Sequence, residues 1–157
     1  MRSIRGTFDA RGRRFAVVAA QFNEIVTGKL VEGALAAFAS HGISDQDLLV
    51  VWVPGAFELP LAARRLASTG LYDAVVCVGA VVRGETAHFD YVAGQAARGI
   101  AEAASDTGVP VLFGVLTTET MQQALDRAGG KHGNKGWDSA MAAMQTASVL
   151  DQLPEKD

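Results

Sequence analysis

Four apolar runs punctuate the chain about 30 residues apart, the spacing of strand–helix repeats. They are Phe15 to Ala20, Leu48 to Val53, Ala74 to Val78 and Val111 to Leu116. None alternates apolar with polar positions, and β-branched side chains are frequent in them. Such runs suit strands buried on both faces of a parallel sheet. Between them, apolar residues recur at helical spacing. Leu30, Val31, Ala34, Leu35 and Phe38 share one face of a helix predicted from about Thr27 to a stop at Gly42. Pro54-Gly55 turns the chain into a second helix carrying Leu59, Ala62, Ala63 and Leu66, closed by Gly70, with Pro60 in its first turn where a missing N–H costs nothing. A third helix starts near Ala87 and ends at Gly108-Val109-Pro110. A fourth carries Met121, Ala124, Leu125 and Ala128, and a last one carries Trp137, Ala140, Met141, Met144 and Ala147. Strands alternating with helices predict an α/β fold of three layers, α/β/α, around a four-stranded parallel sheet. Right-handed crossovers leave few topologies, and the flavodoxin-like order 2-1-3-4 is the one expected.

The organisation reads as one domain over residues 1–157, with residues 1–14 as an N-terminal arm. Ile4, Thr7 and Phe8 suit a small strand that has little to pack on alone, so the arm is expected to add a strand to a neighbour's sheet edge. A hydrophobic content of 49 % supports a real core. The net charge of −3, with no basic run, argues against nucleic acid as a partner. The single cysteine, Cys77, lies inside an apolar run, so neither a disulfide framework nor a cysteine-rich metal site is expected. No apolar stretch reaches the ~18 residues of a membrane span, and the N-terminus lacks a signal-peptide core. The expectation is a soluble cytoplasmic protein that does not engage membranes.

Chemistry collects where the strands end, the edge at which open α/β sheets bind ligands. Phe22-Asn23 follows the first strand, and Gly55, Ala56, Phe57 and Glu58 follow the second. Ala80 to Val82, Glu85, Thr86 and His88 follow the third, and Phe113 to Thr117 belong to the fourth. Strand, glycine turn and helix start leave backbone N–H groups aimed at the turn, where an anion such as phosphate is a natural guest. His88, on the first helical turn beside it, can move a proton near neutral pH. A solvent-exposed loop with an incidental histidine reads these residues equally well. Phe22 stands where a buried strand has already stopped; its ring suits a flat heterocycle, or it caps a helix with an apolar group. Glu58 also favours a helix dipole, and so does the cation of Arg127 near a helix C-terminus. Arg127, Lys131 and Lys135 put three cations into or beside a glycine-rich bend that holds a phosphate or is merely solvated. His41 and His132 read as incidental, and no metal-ligand cluster is visible.

Taken together, these segments resemble the lumazine synthases, the riboflavin-pathway transferases that make 6,7-dimethyl-8-ribityllumazine. The resemblance runs nearly end to end. It rests on Phe22-Asn23, on Val53 to Pro60 (VPGAFELP), on Gly79 with Arg83 to Tyr91 (RGETAHFDY), on Phe113 to Glu119 (FGVLTTE), and on Arg127-Ala128-Gly129 with Asn134-Lys135-Gly136. It implies condensation of 5-amino-6-(D-ribitylamino)uracil with 3,4-dihydroxy-2-butanone 4-phosphate, without a cofactor. Phe22 would stack on the pyrimidine; Ala56, Phe57, Glu58, Ala80, Val81 and Val82 would bind its ring and ribityl chain. Phe113 from a neighbouring subunit would close the pocket. Glu85 and Thr86 would meet the phosphate, Arg127 would pair with it, Lys135 would be a further contact, and His88 would transfer protons. The resemblance also implies a homopentamer, a hollow shell of twelve pentamers (60 copies), and riboflavin synthase as a partner. Two positions depart from it: Gln21, where relatives often carry Arg, and Glu85, where a small residue is common. Glu85 sets a negative charge beside the expected phosphate, so only its backbone N–H is expected to be used. The competing classes are a flavodoxin-like flavin carrier and a shell-forming structural protein without catalysis.

Overall fold

The computed structural model describes residues 1–156. Its strands β1 (Phe15–Ala20), β2 (Leu48–Val53), β3 (Ala74–Val82) and β4 (Val111–Thr118) form one parallel sheet in the order β2-β1-β3-β4. Both sheet topology and the bounds of β1 and β2 agree with the apolar runs. β3 and β4 run further than theirs because their pairing continues to Val82↔Thr118, and Arg83 N–H then donates to the Thr118 carbonyl at 2.9 Å.

Because strand side chains alternate, each strand feeds two cores. Phe15, Val17, Ala19, Val76, Val78 and Leu116 pack beneath α1 (Glu24–Ser40) and α5 (Lys135–Gln152). Ala16, Val18, Val75, Cys77 and Val115 pack beneath α2 (Leu59–Ala67) and α3 (His88–Thr107). The result is the expected three layers. Cys77 is wholly buried, and removal from water pushes its thiol up to about 12. The α1–α5 layer is tight at Gly136, where any Cβ would collide with the Leu30 backbone.

Several local expectations needed correction. α1 begins at Glu24 rather than Thr27, because Asn23 turns left-handed and its carbonyl already accepts from Val26 and Thr27 N–H at 2.9 and 3.0 Å. The fourth helix, α4, is only Met121–Asp126. Arg127 leaves the helix, and Ala128 enters a two-stranded antiparallel ribbon, β5 (Ala128–Gly130) with β6 (Gly133–Asn134), within what read as a featureless bend. Glu58 closes a short 3-10 turn, Ala56–Glu58, and stands at the N-cap of α2 rather than on its first turn. Residues 4–8 form no strand within the chain. They lie along α5, with Thr7 N–H donating to Ser148 Oγ at 3.1 Å and Gln152 Nε2 donating to the Arg5 carbonyl at 3.2 Å. Among the described residues no helix is long and apolar enough to cross a membrane.

Candidate active site

The order β2-β1-β3-β4 reverses direction between β1 and β3, and a crevice opens there at the carboxyl ends of the strands. Backbone bonds shape its floor. Gln21 N–H donates to the Val53 carbonyl (2.8 Å) and Phe22 N–H to the Pro54 carbonyl (3.0 Å), so β1 stays tied to the loop after β2. Asn23 then takes φ 60°, ψ 42°, the one non-glycine residue with positive φ among those described. Asparagine tolerates that region better than most side chains. Its Nδ2 donates to the Ala80 carbonyl at 2.9 Å, which joins the ends of β1 and β3. The sharp turn leaves the Phe22 ring 73 % exposed at the lip.

Phe22 shares the cleft with the 3-10 turn, which buries Ala56 and presents Phe57, 60 % exposed. Ala80, Val81 and Val82 supply the base, and Gly84, Thr86 and His88 the far wall. The open cleft has a volume of about 720 Å³, in the range of small-molecule sites. Glu58 lines the cleft as well, so helix stabilisation is not all its position offers. Glu85 is exposed between Gly84 and Thr86 and does not line the wall. His88 opens α3, and its N–H reaches Thr86 Oγ at 3.4 Å. Ala87 gives this helix start no side-chain cap, and Asp90 N–H turns back to the Ala87 carbonyl at 3.1 Å, so of the first turn the Phe89 N–H is the donor left for a guest. Phe89, Tyr91 and Val92 line the cleft too. None of these three was among the expected site residues; a helix start set over a cavity turns part of its first turns toward the cleft.

Arg83, beside this wall, is engaged within the chain. Its Nε lies 2.8 Å from Glu119 Oε2, its Nη2 3.3 Å from Asp90 Oδ1, and its guanidinium carbon 4.3 Å from the Phe89 ring centroid. Glu119 above all, and Asp90 after it, hold its pKa above the ordinary arginine value.

A second, smaller depression of about 380 Å³ sits on the β4 side of the sheet. Phe113, half-exposed on β4, shares it with Thr117, Arg127 and Lys135. The β5–β6 ribbon sets the cations: Lys135 N–H donates to the Arg127 carbonyl at 2.8 Å, and Arg127 Nη1 donates to the Gln123 carbonyl at 3.0 Å. Lys131 instead approaches Asp126, 3.9 Å away, so the three-cation cluster reduces to two. His132 and Asp138 also line this depression. His132 read as incidental, and Asp138 was missed because an acidic residue in a helix's first turn has a sufficient local reason to be there. His41 bonds its ring nitrogen to the Ala37 carbonyl at 2.6 Å, a structural role.

The chain thus gathers Phe22, Ala56, Phe57, Glu58, Ala80, Val81, Val82, Thr86 and His88 in one cleft, and Phe113, Arg127 and Lys135 in another. No residue lines both. Among the described residues no cluster of three or more His, Cys, Asp or Glu side chains is placed to hold a metal ion. The sequence profile of the 6,7-dimethyl-8-ribityllumazine synthase family matches residues 12–151.

Proposed function

Because the chain belongs to the 6,7-dimethyl-8-ribityllumazine synthase family, we propose that it condenses 5-amino-6-(D-ribitylamino)uracil with 3,4-dihydroxy-2-butanone 4-phosphate. The observation that carries this reading is the one cleft lined by the exposed rings of Phe22 and Phe57, by Glu58, and by His88 at the start of α3. The pyrimidine stacks on Phe22, and Glu58 with the Ala80–Val82 backbone addresses its polar edge and ribityl chain. The phosphate sits on the N–H groups of Glu85 and Thr86. Glu85 contributes backbone only, which its exposed side chain off the wall supports.

Every step is an addition, an elimination or a proton transfer. An amine of the pyrimidine attacks the ketone and water leaves, giving an imine. A proton comes off the adjacent carbon, the C–O bond to phosphate breaks, and inorganic phosphate departs. The enol left behind takes up a proton to become a methyl ketone, and the ribitylamino nitrogen then closes on that new carbonyl with loss of a second water. His88 is the group placed to carry those protons, a role worth ~10²–10⁴-fold. Holding two substrates in register contributes more, up to ~7–11 kcal/mol. No step calls for a cofactor.

Phosphate needs cations, and Arg127 and Lys135 lie in the other depression. The reading therefore places them, with Phe113, across a subunit interface, so that each site is shared by two chains of a cytoplasmic homopentamer. Twelve pentamers would close a shell, to which riboflavin synthase would be the partner. The test is direct: the purified protein with both substrates should develop lumazine fluorescence and release one phosphate per turnover. Protein that stays dark with both substrates, yet carries a stoichiometric yellow ligand, would instead be a flavin carrier.

A further inference from the structure

The start of α3 is weakly held by its own residues. Gly84 to His88 are exposed, Ala87 offers no side-chain cap, and the Thr86–His88 bond is long at 3.4 Å. His88 nevertheless has to stay within about 0.5 Å of a productive geometry to serve a proton transfer. Arg83 is the residue that ties this turn to the sheet. Its N–H extends the β3–β4 pairing, and its fork takes Glu119 at the end of β4 on one side and Asp90 on the other. Its plane stacks on Phe89. Phe89 and Asp90 are the two residues that follow His88. Glu119 is itself fixed, since its N–H and that of Thr120 donate to Gln123 Oε1 in the capping box of α4.

We infer that Arg83 is a positioning residue that braces the first turn of α3 against β4 and thereby holds His88 over the cleft. This rests on the proton-transfer role proposed for His88. Isolated exposed ion pairs contribute little, but one guanidinium shared by two carboxylates and a ring is a network of the kind that does. Arginine is needed for it, because lysine offers neither the fork nor the flat face. The same engagement argues that Arg83 is no phosphate ligand, as both carboxylates compete for its donors.

The experiment compares Arg83→Ala, Arg83→Lys and Glu119→Gln with the wild type and with His88→Ala, each checked for assembly by sedimentation. Arg83→Ala should lower kcat about tenfold to a hundredfold, the cost of displacing a catalytic group by about 1 Å. KM for either substrate should change less than about threefold, since uniform binding is untouched. Arg83→Lys and Glu119→Gln should fall between Arg83→Ala and wild type, and they carry the test if Arg83→Ala does not assemble. In the His88→Ala background, Arg83→Ala should cost nothing further, because a brace has no effect without the group it holds. Full additivity would overturn the inference, as would an unchanged kcat in all three variants. A raised KM for the phosphate substrate with kcat intact would make Arg83 an anion ligand instead. If the wild type makes no lumazine, or His88→Ala matches it, the role of His88 fails and the brace with it; a slow His88→Ala beside normal Arg83 and Glu119 variants removes the brace alone.

Discussion

The cleft at the ends of β1, β2 and β3 and the depression beside β4 differ in what walls them. The first is rings and glycine backbone: Phe22, Phe57 and Tyr91 face it, and its ionisable groups are His88, Glu58 and the Tyr91 phenol. The second holds Arg127 and Lys135, neither of which pairs with a carboxylate among the described residues. An arginine does lie beside the first, but Arg83 is held by Glu119 and Asp90. The chain therefore places its exposed rings and His88 apart from Arg127 and Lys135. On the proposed reading a flat heterocycle and a sugar phosphate need both. The lesson is that a sheet edge that gathers rings and a histidine need not gather the chain's unpaired cations as well.

That contrast can be broken most sharply at His88. His88→Ala should reduce kcat by ~10²–10³-fold while pyrimidine binding, followed by fluorescence quenching, stays near wild type. A raised KM with kcat intact would reassign the histidine to recognition. Next in size is Arg127→Ala, which should raise KM for the phosphate substrate by about 10–100-fold, the worth of a charge-assisted hydrogen bond. Mixing that variant with His88→Ala, unfolding both and reassembling them should restore on the order of a quarter of wild-type turnover, the random chance that an interface joins two intact halves. Mixed assemblies confirmed by mass spectrometry yet inactive would show that one chain holds the whole site. The smallest effect belongs to the stacking wall: Phe22→Ala should raise KM for the pyrimidine about 3–10-fold and leave the phosphate substrate alone. Equal effects on both substrates would mean that the two depressions do not divide the work.

Much of this was legible in the sequence because burial on both faces of the inner strands β1 and β3 writes itself as unbroken apolar runs. The edge strand β2 shares the apolar run and its bounds but leaves Leu49 and Trp52 partly exposed, a correction to the expected burial, and crossover handedness narrows the sheet orders to a few that include the observed one. The positions at the strand ends were legible for the same reason, since where a strand stops decides what stands at the sheet edge. Other features were hidden by tertiary pairing. Nothing local in Gly129 to Gly136 announces a ribbon; Ala128 is drawn into it by pairing with Asn134. Within the chain, the arm's Thr7 and Arg5 bond to α5, a helix more than 100 residues away in sequence, a contact no local pattern shows. The pairing of Arg83 with Glu119, on another strand end, has no local signal in the sequence either.

Cys77 has one more consequence. As the single thiol, wholly buried in the inner strand β3 and shifted to about 12, it is silent to alkylating reagents while the sheet is closed. It is therefore a built-in clock for the opening of β3. Labelling at neutral pH times that event without any engineered probe. In alkali the same thiol becomes a load on the fold: an unfolded chain ionises it near 9.0 and the folded chain only near 12. Each pH unit between those values should withdraw about 1.4 kcal/mol of stability, with no contribution below 9.0. Cys77→Ala, unfolded in urea at pH 8 and pH 10.5, should lose less stability between the two than the wild type does; equal losses would show that the thiol is already open to water.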